Sequence, residues 1–203
     1  MRTTSPYQVH DQQQIEAIIN QVQKGDKEQF VAIIETFQQP IYRYCCHMLR
    51  NKQDAEDAVQ DVFVKAYQSI ARYKPEASFS AWLYRIACNH CLNLIRRRKM
   101  QNHVMRFFNR EASAASPEQE LDDRLYSYSL TQALEKLSLE ERNILVLRVF
   151  EEMTFVEMSQ VLGSSPNALH KRMDRIKTKV QEAMIKEGEI SCNERETILN
   201  TKI

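Results

Sequence analysis

The segment FSAWLYRIACNHCLNLIRRRK, residues 79–99, decides the fold of this chain because its apolar residues recur at helical spacing. We expect a helix from Ala81 onward, preceded by a loop at residues 72–80 that ends in a serine N-cap. The segment therefore predicts the last helix of a helical domain. Its expected buried stripe carries Leu83, Ile86, Ala87, His90 and Leu94.

A second stripe of the same helix is polar, aromatic and cationic. An indole ring, amides and guanidinium groups can stack on or hydrogen-bond exposed bases, while cations hold the phosphate backbone. The stripe therefore predicts a nucleic-acid surface, and a polar face around a structural tryptophan is the alternative. The stripe carries Trp82, Arg85, Asn89, Asn93 and Arg96, and the nucleic-acid interpretation also counts Tyr84 and the closing run Arg96-Arg97-Arg98-Lys99.

Sulfur in this helix suggests a competing interpretation, a metal site or a redox switch. Cys88 and Cys91 are three residues apart, but tetrahedral zinc needs two more ligands. The run CCH at residues 45–47 could supply them only if two helices packed face to face. Among neighbouring residues only Arg85 would lower a thiol pKa, and His90 lies with the apolar set. We therefore favour nucleic acid, with no metal.

Composition indicates a helical protein of the cytoplasm. The chain has 203 residues, 43% hydrophobic and 27% charged, and only three glycines and five prolines. Sheets joined by tight turns usually need more of both. The sequence has no apolar run for a membrane span and no secretory-signal core at its start. We expect free thiols at the five cysteines, no cofactor and no catalytic motif.

Periodicity divides the chain into an all-α fold of two small helical domains joined by a flexible linker. In the first domain we expect Asp26 and Gln29 to cap a helix and Pro40 to begin or kink the next one. Buried stripes are expected at Phe30, Ile33, Ile34 and Phe37, and at Ala55, Ala58, Val59, Val62, Phe63 and Ala66. The expected boundaries are 1–11 (flexible), 12–99 (first domain), 100–126 (linker), 127–186 (second domain) and 187–203 (tail).

The second domain has the pattern of a helix-turn-helix. Ser138 with Glu141 and Thr154 with Glu157 form two capping boxes, each opening a helix. Gly163 ends the second of these helices, and Pro166 lies in the first turn of the next. Helix, glycine turn and helix in this order are typical of duplex DNA binding.

The last helix presents donors and cations suited to base edges and phosphates. An ordinary solvated face is the alternative, and Asp174 is unfavourable near phosphate unless it pairs with Arg175 or Lys171. The exposed residues are expected to be Asn167, Ala168, His170, Lys171, Arg172, Arg175 and Lys179.

An acidic ridge, defined here as Asp54, Asp57, Gln60 and Asp61, lies off the apolar stripe of its helix. The helix dipole explains acids in a first turn, but leaves the last two residues unexplained. Acidic side chains repel DNA, so the ridge predicts a protein partner, on a face directed away from the nucleic-acid stripe.

Two segments together resemble the bacterial sigma-70 family, specifically its small group-four, extracytoplasmic-function (ECF) members. Residues 25–98 resemble the promoter-melting domain, region 2, through the motifs DAEDAVQDVF (54–63) and FSAWLYRIACN (79–89). Residues 134–184 resemble region 4. The resemblance implies a non-catalytic subunit that binds core RNA polymerase, directs it to promoters and initiates transcription of a specific, stress-response regulon.

The resemblance also implies a role for each candidate surface. Asp54, Asp57, Gln60 and Asp61 would meet the clamp helices of the largest polymerase subunit, and region 4 would meet the flap of the second largest. The single-stranded −10 element would be held by Lys74, Ser78, Phe79, Trp82, Arg85, Asn89, Asn93, Arg96 and Arg97. The duplex −35 element would be read by Ser165, Asn167, Ala168, His170, Lys171, Arg172 and Arg175.

Such factors are typically held inactive by an anti-sigma partner, which we expect here. Family members commonly have Val-Gly-Thr-Val where this chain has Pro-Asn-Ala-Leu at residues 166–169, which leaves the −35 sequence preference open. Two other classes compete: a self-sufficient helix-turn-helix repressor or activator, which would need a dimer to read two half-sites, and a thiol or zinc sensor.

Overall fold

A computed structural model describes residues 12–75, 77–108 and 133–186 of the chain. Within these ranges every regular element is helical, so the predicted all-α fold is confirmed. A 3-10 turn, Ile70–Arg72, follows α3, and a π-helical turn, Val146–Phe150, continues α5. The helices are α1 (Gln12–Gln23), α2 (Phe30–Leu49), α3 (Lys52–Ser69), α4 (Phe79–Phe108), α5 (Leu139–Leu145), α6 (Phe155–Leu162) and α7 (Pro166–Lys186).

Helices α1 to α4, called here the N-terminal unit, share one apolar core. Helices α2 and α3 pack against each other and both pack against α4. The predicted stripes of α2 and α3 lie in this core, with Ile34 and Val59 half-buried at its edge. Arg50 adopts a left-handed conformation (φ 57°) after α2, and the side chain of Asn51 then accepts a hydrogen bond from the Asp54 N–H at 3.0 Å. These two residues turn the chain between α2 and α3.

Several predicted helix boundaries in this unit are wrong. Pro40 does not begin a separate helix, but lies buried inside α2. No side-chain hydrogen bond caps α2 at Gln29. Helix α4 begins at Phe79, two residues earlier than expected, and its cap is Ser78, whose Oγ accepts from the Ala81 N–H at 3.2 Å. At Pro40, burial in the core outweighs the local preference of proline for a helix start.

Helix α4 also extends beyond the predicted domain end, to Phe108. Residues 100–108, the first nine positions of the expected linker, are therefore helical. The remainder of that linker, the end segments 1–11 and 187–203, and Cys192 lie outside the described residues, and the proposed domain boundaries stay predictions.

Helices α5 to α7, called here the C-terminal unit, form the expected helix-turn-helix. Both capping boxes are complete, at Ser138 with Glu141 and at Thr154 with Glu157. Gly163 ends α6 in a left-handed conformation (φ 67°), a region that glycine enters without a Cβ penalty. The Ser165 hydroxyl accepts from the Ala168 N–H at 3.3 Å and so caps α7.

The C-terminal unit packs directly on the N-terminal unit. Helix α6 lies against α4, and the π-helical turn lies against α2. Among the described helices none is long and apolar enough to cross a lipid bilayer. The arrangement places the helix-turn-helix next to the helix that carries the predicted nucleic-acid stripe.

Candidate nucleic-acid and polymerase interfaces

A pocket of about 400 Å³ opens where the chain enters α4. It combines three cations with an indole ring, so it can hold phosphates and offer a stacking surface to a base. The sequence singled out Lys74, Trp82 and Arg85 but missed Arg72, whose position at the start of the predicted loop was the available signal. The lining residues from the N-terminal unit are Arg72, Tyr73, Lys74, Ala77, Trp82 and Arg85.

The floor of this pocket is an aromatic cluster. Phe79 is only 2% exposed and contacts Phe37, Tyr73 and Trp82, with ring centroids 5.2–5.6 Å apart. The structure therefore corrects the placement of Phe79 on the DNA-facing surface, because its ring supports Trp82 from the core. The Tyr73 hydroxyl donates to the Ala77 carbonyl at 3.0 Å and fixes the loop above this floor.

The polar stripe of α4 continues away from the pocket. Asn89, Asn93, Arg96 and Arg97 are all exposed, as expected, and follow Trp82 and Arg85 along one face of the helix. Ser78 is half-buried and its hydroxyl caps the helix. The pocket and stripe together form a continuous surface of amides, cations and one indole ring.

Tyr84 does not belong to this surface, in contrast to the prediction from the sequence. Its side chain is fully buried, and its hydroxyl donates to Glu151 Oε2 of the C-terminal unit at 2.6 Å. Tyr84 lies beside the apolar stripe, and the C-terminal unit covers the position that a solitary α4 would leave open to solvent.

Two cations of the surface are already engaged by the C-terminal unit. The Arg85 guanidinium donates to the Gln160 carbonyl, and Gln160 also lines the pocket. The Arg96 guanidinium donates to Glu140 Oε1 at 3.1 Å. The pKa of Glu140 is lowered, first by a backbone hydrogen bond at the start of α5 and then by Arg96. In this arrangement the helix-turn-helix partly covers the predicted strand-binding surface.

Only part of the acidic ridge is exposed to solvent. Asp57, Gln60 and Asp61 are exposed on α3 as expected. Asp54, however, forms a two-pronged ion pair with Arg98, and its side chain is 21% exposed. Val64, 53% exposed, extends the same face by one turn, a neighbour that the sequence did not single out.

The ridge also lies closer to α4 than expected. We predicted a face directed away from the nucleic-acid stripe, but α3 packs against α4 and Asp61 Oδ2 is 3.5 Å from His90 Nε2. His90 is half-buried, and burial followed by the nearby Lys65 ammonium lowers its pKa, while Asp61 opposes that shift. The ridge and the stripe are neighbouring surfaces of one bundle.

The recognition helix α7 presents most of the predicted donors. Ser165, Asn167, Ala168, His170, Lys171 and Arg175 are exposed, whereas Arg172 is half-buried near Glu140. Asp174 pairs with His170, Nδ1 to Oδ2 at 3.1 Å, and not with the lysine or arginine expected from the sequence. Lys179 is tied to Glu141 of α5. The free cationic face therefore lies in the N-terminal half of α7.

The cysteines lie in the core between α2 and α4. These helices do face each other, and the Cys45 and Cys91 sulfur atoms are 3.7 Å apart. Burial raises the pKa of Cys88 to about 12, and the Cys45 contact followed by burial raises that of Cys91. Within the described part of the chain no cluster of three or more potential ligands could hold a metal. Protonated, buried thiols behave as small apolar side chains.

Comparison with known proteins identifies the family. Residues 33–101 match the family model Sigma-70 region 2, and residues 127–180 match Sigma-70, region 4. The chain is 30% identical over 162 residues to RNA polymerase sigma factor CarQ of Myxococcus xanthus, covering 79% of this chain and 91% of that protein. The chain belongs to the sigma-70 family. The expected order of the two regions is therefore confirmed.

The relatives place this sigma factor in the ECF group and in transcription initiation. ECF RNA polymerase sigma factor SigW of Bacillus subtilis is 29% identical over 167 residues, covering 77% of this chain and 89% of that protein. The structure of CnrH in complex with the cytosolic domain of CnrY is similar in fold, with a TM-score of 0.62 at 24% identity, covering 85% and 97% of the two chains. The sigma factor RpoE of Bartonella quintana, in complex with the anti-sigma factor NepR, gives a TM-score of 0.60 at 21% identity, covering 76% and 96%.

Proposed function

We propose that this ECF sigma factor binds core RNA polymerase in the cytoplasm and directs it to promoters of a specific, stress-response regulon. It acts as a non-catalytic subunit: region 2 holds the separated −10 strand and region 4 reads the −35 duplex. The observation that carries the proposal is the pocket at the start of α4, where Lys74, Trp82 and Arg85 converge and lead into the exposed stripe. Its chemistry suits an unpaired strand, such as the one that an opened promoter supplies.

Strand binding divides between the pocket and the stripe. Trp82 has an aromatic floor and can stack on a base, while Arg72, Lys74 and Arg85 neutralise phosphates. Asn89 and Asn93 are exposed one and two turns further along α4 and can hydrogen-bond base edges. This division makes Trp82 and the amides the sequence-sensitive group and the cations the salt-sensitive group.

Duplex binding uses the N-terminal half of α7. Asn167, Lys171 and Arg175 are exposed in the geometry of a recognition helix, with Gly163 and Ser165 setting its entry angle. Asp174 on the same helix is engaged locally, with its Oδ2 atom 3.1 Å from His170 Nδ1.

The polymerase interface is the exposed part of the acidic ridge, and region 4 also contacts the flap of the second-largest subunit. Asp57, Gln60 and Asp61 would bind the clamp helices of the largest subunit, with Val64 as an apolar contact beside them. Asp54 contributes indirectly by fixing the C-terminal part of α4 through Arg98. An anti-sigma partner is proposed as well, since the sigma factor RpoE, which is similar in fold, was solved in complex with the anti-sigma factor NepR.

Run-off transcription with purified core polymerase tests the function. We expect promoter-dependent initiation on genomic templates, with start sites that define shared −10 and −35 elements. A complete lack of promoter-dependent product on every template, with an active core enzyme, would contradict the proposal. A stable dimer that binds an operator tightly without polymerase would favour the repressor class.

Charge reversal separates polymerase binding from DNA binding. Asp57→Arg combined with Asp61→Arg should weaken core association by at least about tenfold, because two favourable charge contacts become repulsive. Glu35→Arg, an exposed reversal on α2, is the matched control and should leave core affinity unchanged. Pull-down titration against core polymerase measures both, and equal affinity of all three proteins would remove the ridge from the interface.

A further inference from the structure

Two polar side chains of the C-terminal unit are buried against the N-terminal unit. Asn143 is 3% exposed and Glu151 is 1% exposed. Each receives a tyrosine hydroxyl from the other unit: Tyr44 donates to Asn143 Oδ1 at 2.9 Å, and Tyr84 donates to Glu151 Oε2 at 2.6 Å. Both tyrosines are fully buried by this arrangement. We call these four residues the tyrosine clasp.

The surroundings of the clasp are those of a built interface. A buried carboxylate is unfavourable unless it is paired, and the Arg43 guanidinium, 3.5 Å from Glu151 Oε2, supplies the charge. The two tyrosine rings pack edge to face with centroids 5.7 Å apart, and His47 stacks on Phe150 at 4.1 Å. Polar complementarity and apolar packing therefore occur together across the two units.

We propose that the C-terminal unit docks onto α2 and α4 in the free chain through the tyrosine clasp, and that docking withholds the strand-binding surface until the two units separate. The partner of this surface is thus a segment of the same chain. The second half of the proposal rests on the proposed function, whereas the docking itself does not depend on it.

Docking withholds the surface by direct contact. Gln160 closes one side of the pocket and its carbonyl accepts from Arg85, while Glu140 holds Arg96 further along α4. A single strand that follows the stripe must replace both contacts. These peripheral contacts are exposed and individually weak, so the buried clasp supplies the specificity of the closed state.

The expected effect follows from a two-state equilibrium. The observed dissociation constant for a strand equals the intrinsic one divided by the open fraction. Removing one clasp hydroxyl deletes a buried hydrogen bond that exists only in the closed state, whereas in the open state water serves the acceptor in both proteins. Each such loss should raise the ratio of open to closed chain by about tenfold. Strand affinity should rise in parallel until the open state predominates.

The experiment compares Tyr44→Phe, Tyr84→Phe and the double variant with the wild-type full-length chain. Tyr42→Phe is the matched control, since it removes a hydroxyl from the same α2 helix whose neighbours, Cys46 and Glu56, belong to the N-terminal unit. Asn143→Ala removes the clasp acceptor that the C-terminal unit contributes to the Tyr44 hydroxyl. Circular dichroism checks that each variant keeps its helix content.

Two readouts are needed. Small-angle X-ray scattering gives the radius of gyration of the free chain, which should increase in the double variant and in Asn143→Ala but not in Tyr42→Phe. Fluorescence anisotropy with a short labelled single strand spanning a mapped −10 element gives the affinity. This affinity should rise about tenfold or more in the double variant and stay unchanged in the control.

Each outcome distinguishes docking from function. Folded clasp variants with the radius and strand affinity of the wild type would overturn the proposal. An increased radius with unchanged affinity would overturn the withholding step alone. Promoter-dependent transcription by the wild-type chain with core polymerase tests the proposed function separately. Its outcome does not depend on docking in the free chain, because bound polymerase can separate the units in every variant.

Discussion

At the residue scale, helical spacing predicted which side chains of α4 face outward but not which partners they meet. Asn89, Asn93 and Arg97 are exposed as their stripe requires. Phe79 and Tyr84 were misplaced because each lies beside the apolar stripe, where neighbouring elements decide burial. Phe79 is covered by the aromatic cluster and Tyr84 by the C-terminal unit, and neither contact leaves a local signal in the sequence.

Arg97 and Arg98 are adjacent but should respond differently to truncation. Arg98→Ala removes a half-buried two-pronged ion pair with Asp54 and should lower the free energy of unfolding by about 1–2 kcal/mol. Arg97→Ala removes an exposed cation and should leave stability within about 0.5 kcal/mol of wild type. Urea denaturation measures both values. Equal losses in the two variants would contradict the assignment.

For DNA binding we expect the opposite order, with Arg97 contributing more than Arg98. Arg97→Ala should weaken binding to a −10 single strand and reduce the salt dependence of that binding by about one phosphate contact. The measurement is anisotropy across a salt series in a clasp-opened background, with Glu35→Ala as the neutral comparison. An unchanged salt slope would place Arg97 outside the strand path.

At the element scale, the helix caps could be predicted from the sequence. Positions where tertiary packing overrides local helix propensity could not. Both capping boxes and the Gly163 stop follow from short motifs whose hydrogen bonds are local. Pro40 was misjudged because its missing N–H favours a helix start, yet the residue is buried in the middle of α2. The packing of α2 against α3 and α4 keeps that helix continuous, and such packing cannot be read from a local window.

Gly163 should be sensitive to substitution for a conformational reason. A Cβ at this position meets no atom within 4 Å, so steric clash is absent and only the left-handed φ of 67° matters. Gly163→Ala should therefore destabilise the chain by about 1–2 kcal/mol, and Gly163→Asn by less, because asparagine tolerates this conformation better. Thermal denaturation of the two variants checks the order. A more stable alanine variant would contradict it.

At the scale of the whole molecule, the sequence predicted two helical units but not their contact. Tyr44 and Asn143 are separated by 99 residues, and Tyr84 and Glu151 by 67. No periodicity links such distant positions, and a pair of glutamates after a helix, Glu151 and Glu152, has the pattern of an exposed turn. The contact becomes evident only when burial and hydrogen bonds are seen together.

The docked state should weaken in acid through His47. Burial against Phe150, followed by the Arg43 charge, lowers the His47 pKa from 6.5 to about 4. Separation of the units returns the pKa toward its usual value, so the open state binds more protons between these limits. Docking is therefore strongest above about pH 6.5 and weakens as the pH falls toward 4. At pH 5 the ratio of open to closed chain should be about tenfold higher than at pH 7.

Scattering at pH 7 and pH 5 measures this change, with His47→Gln as the control. Glu151 and Arg43 also lie at this interface, so the control isolates the histidine. The variant should show a clearly smaller pH-dependent increase in radius. An identical increase in both proteins would assign the acid response to another group.

The buried thiol of Cys88 can report the separation of the two units. Its sulfur lies beneath Asn143 Oδ1, 3.5 Å away, and only 3% of the residue reaches solvent. In a chain with Cys46 and Cys192 replaced by serine, an alkylating reagent should therefore modify Cys88 only in molecules whose two units have separated. When the units close again faster than the thiol reacts, the modification rate reports the open fraction, and any ligand that separates the units should increase it.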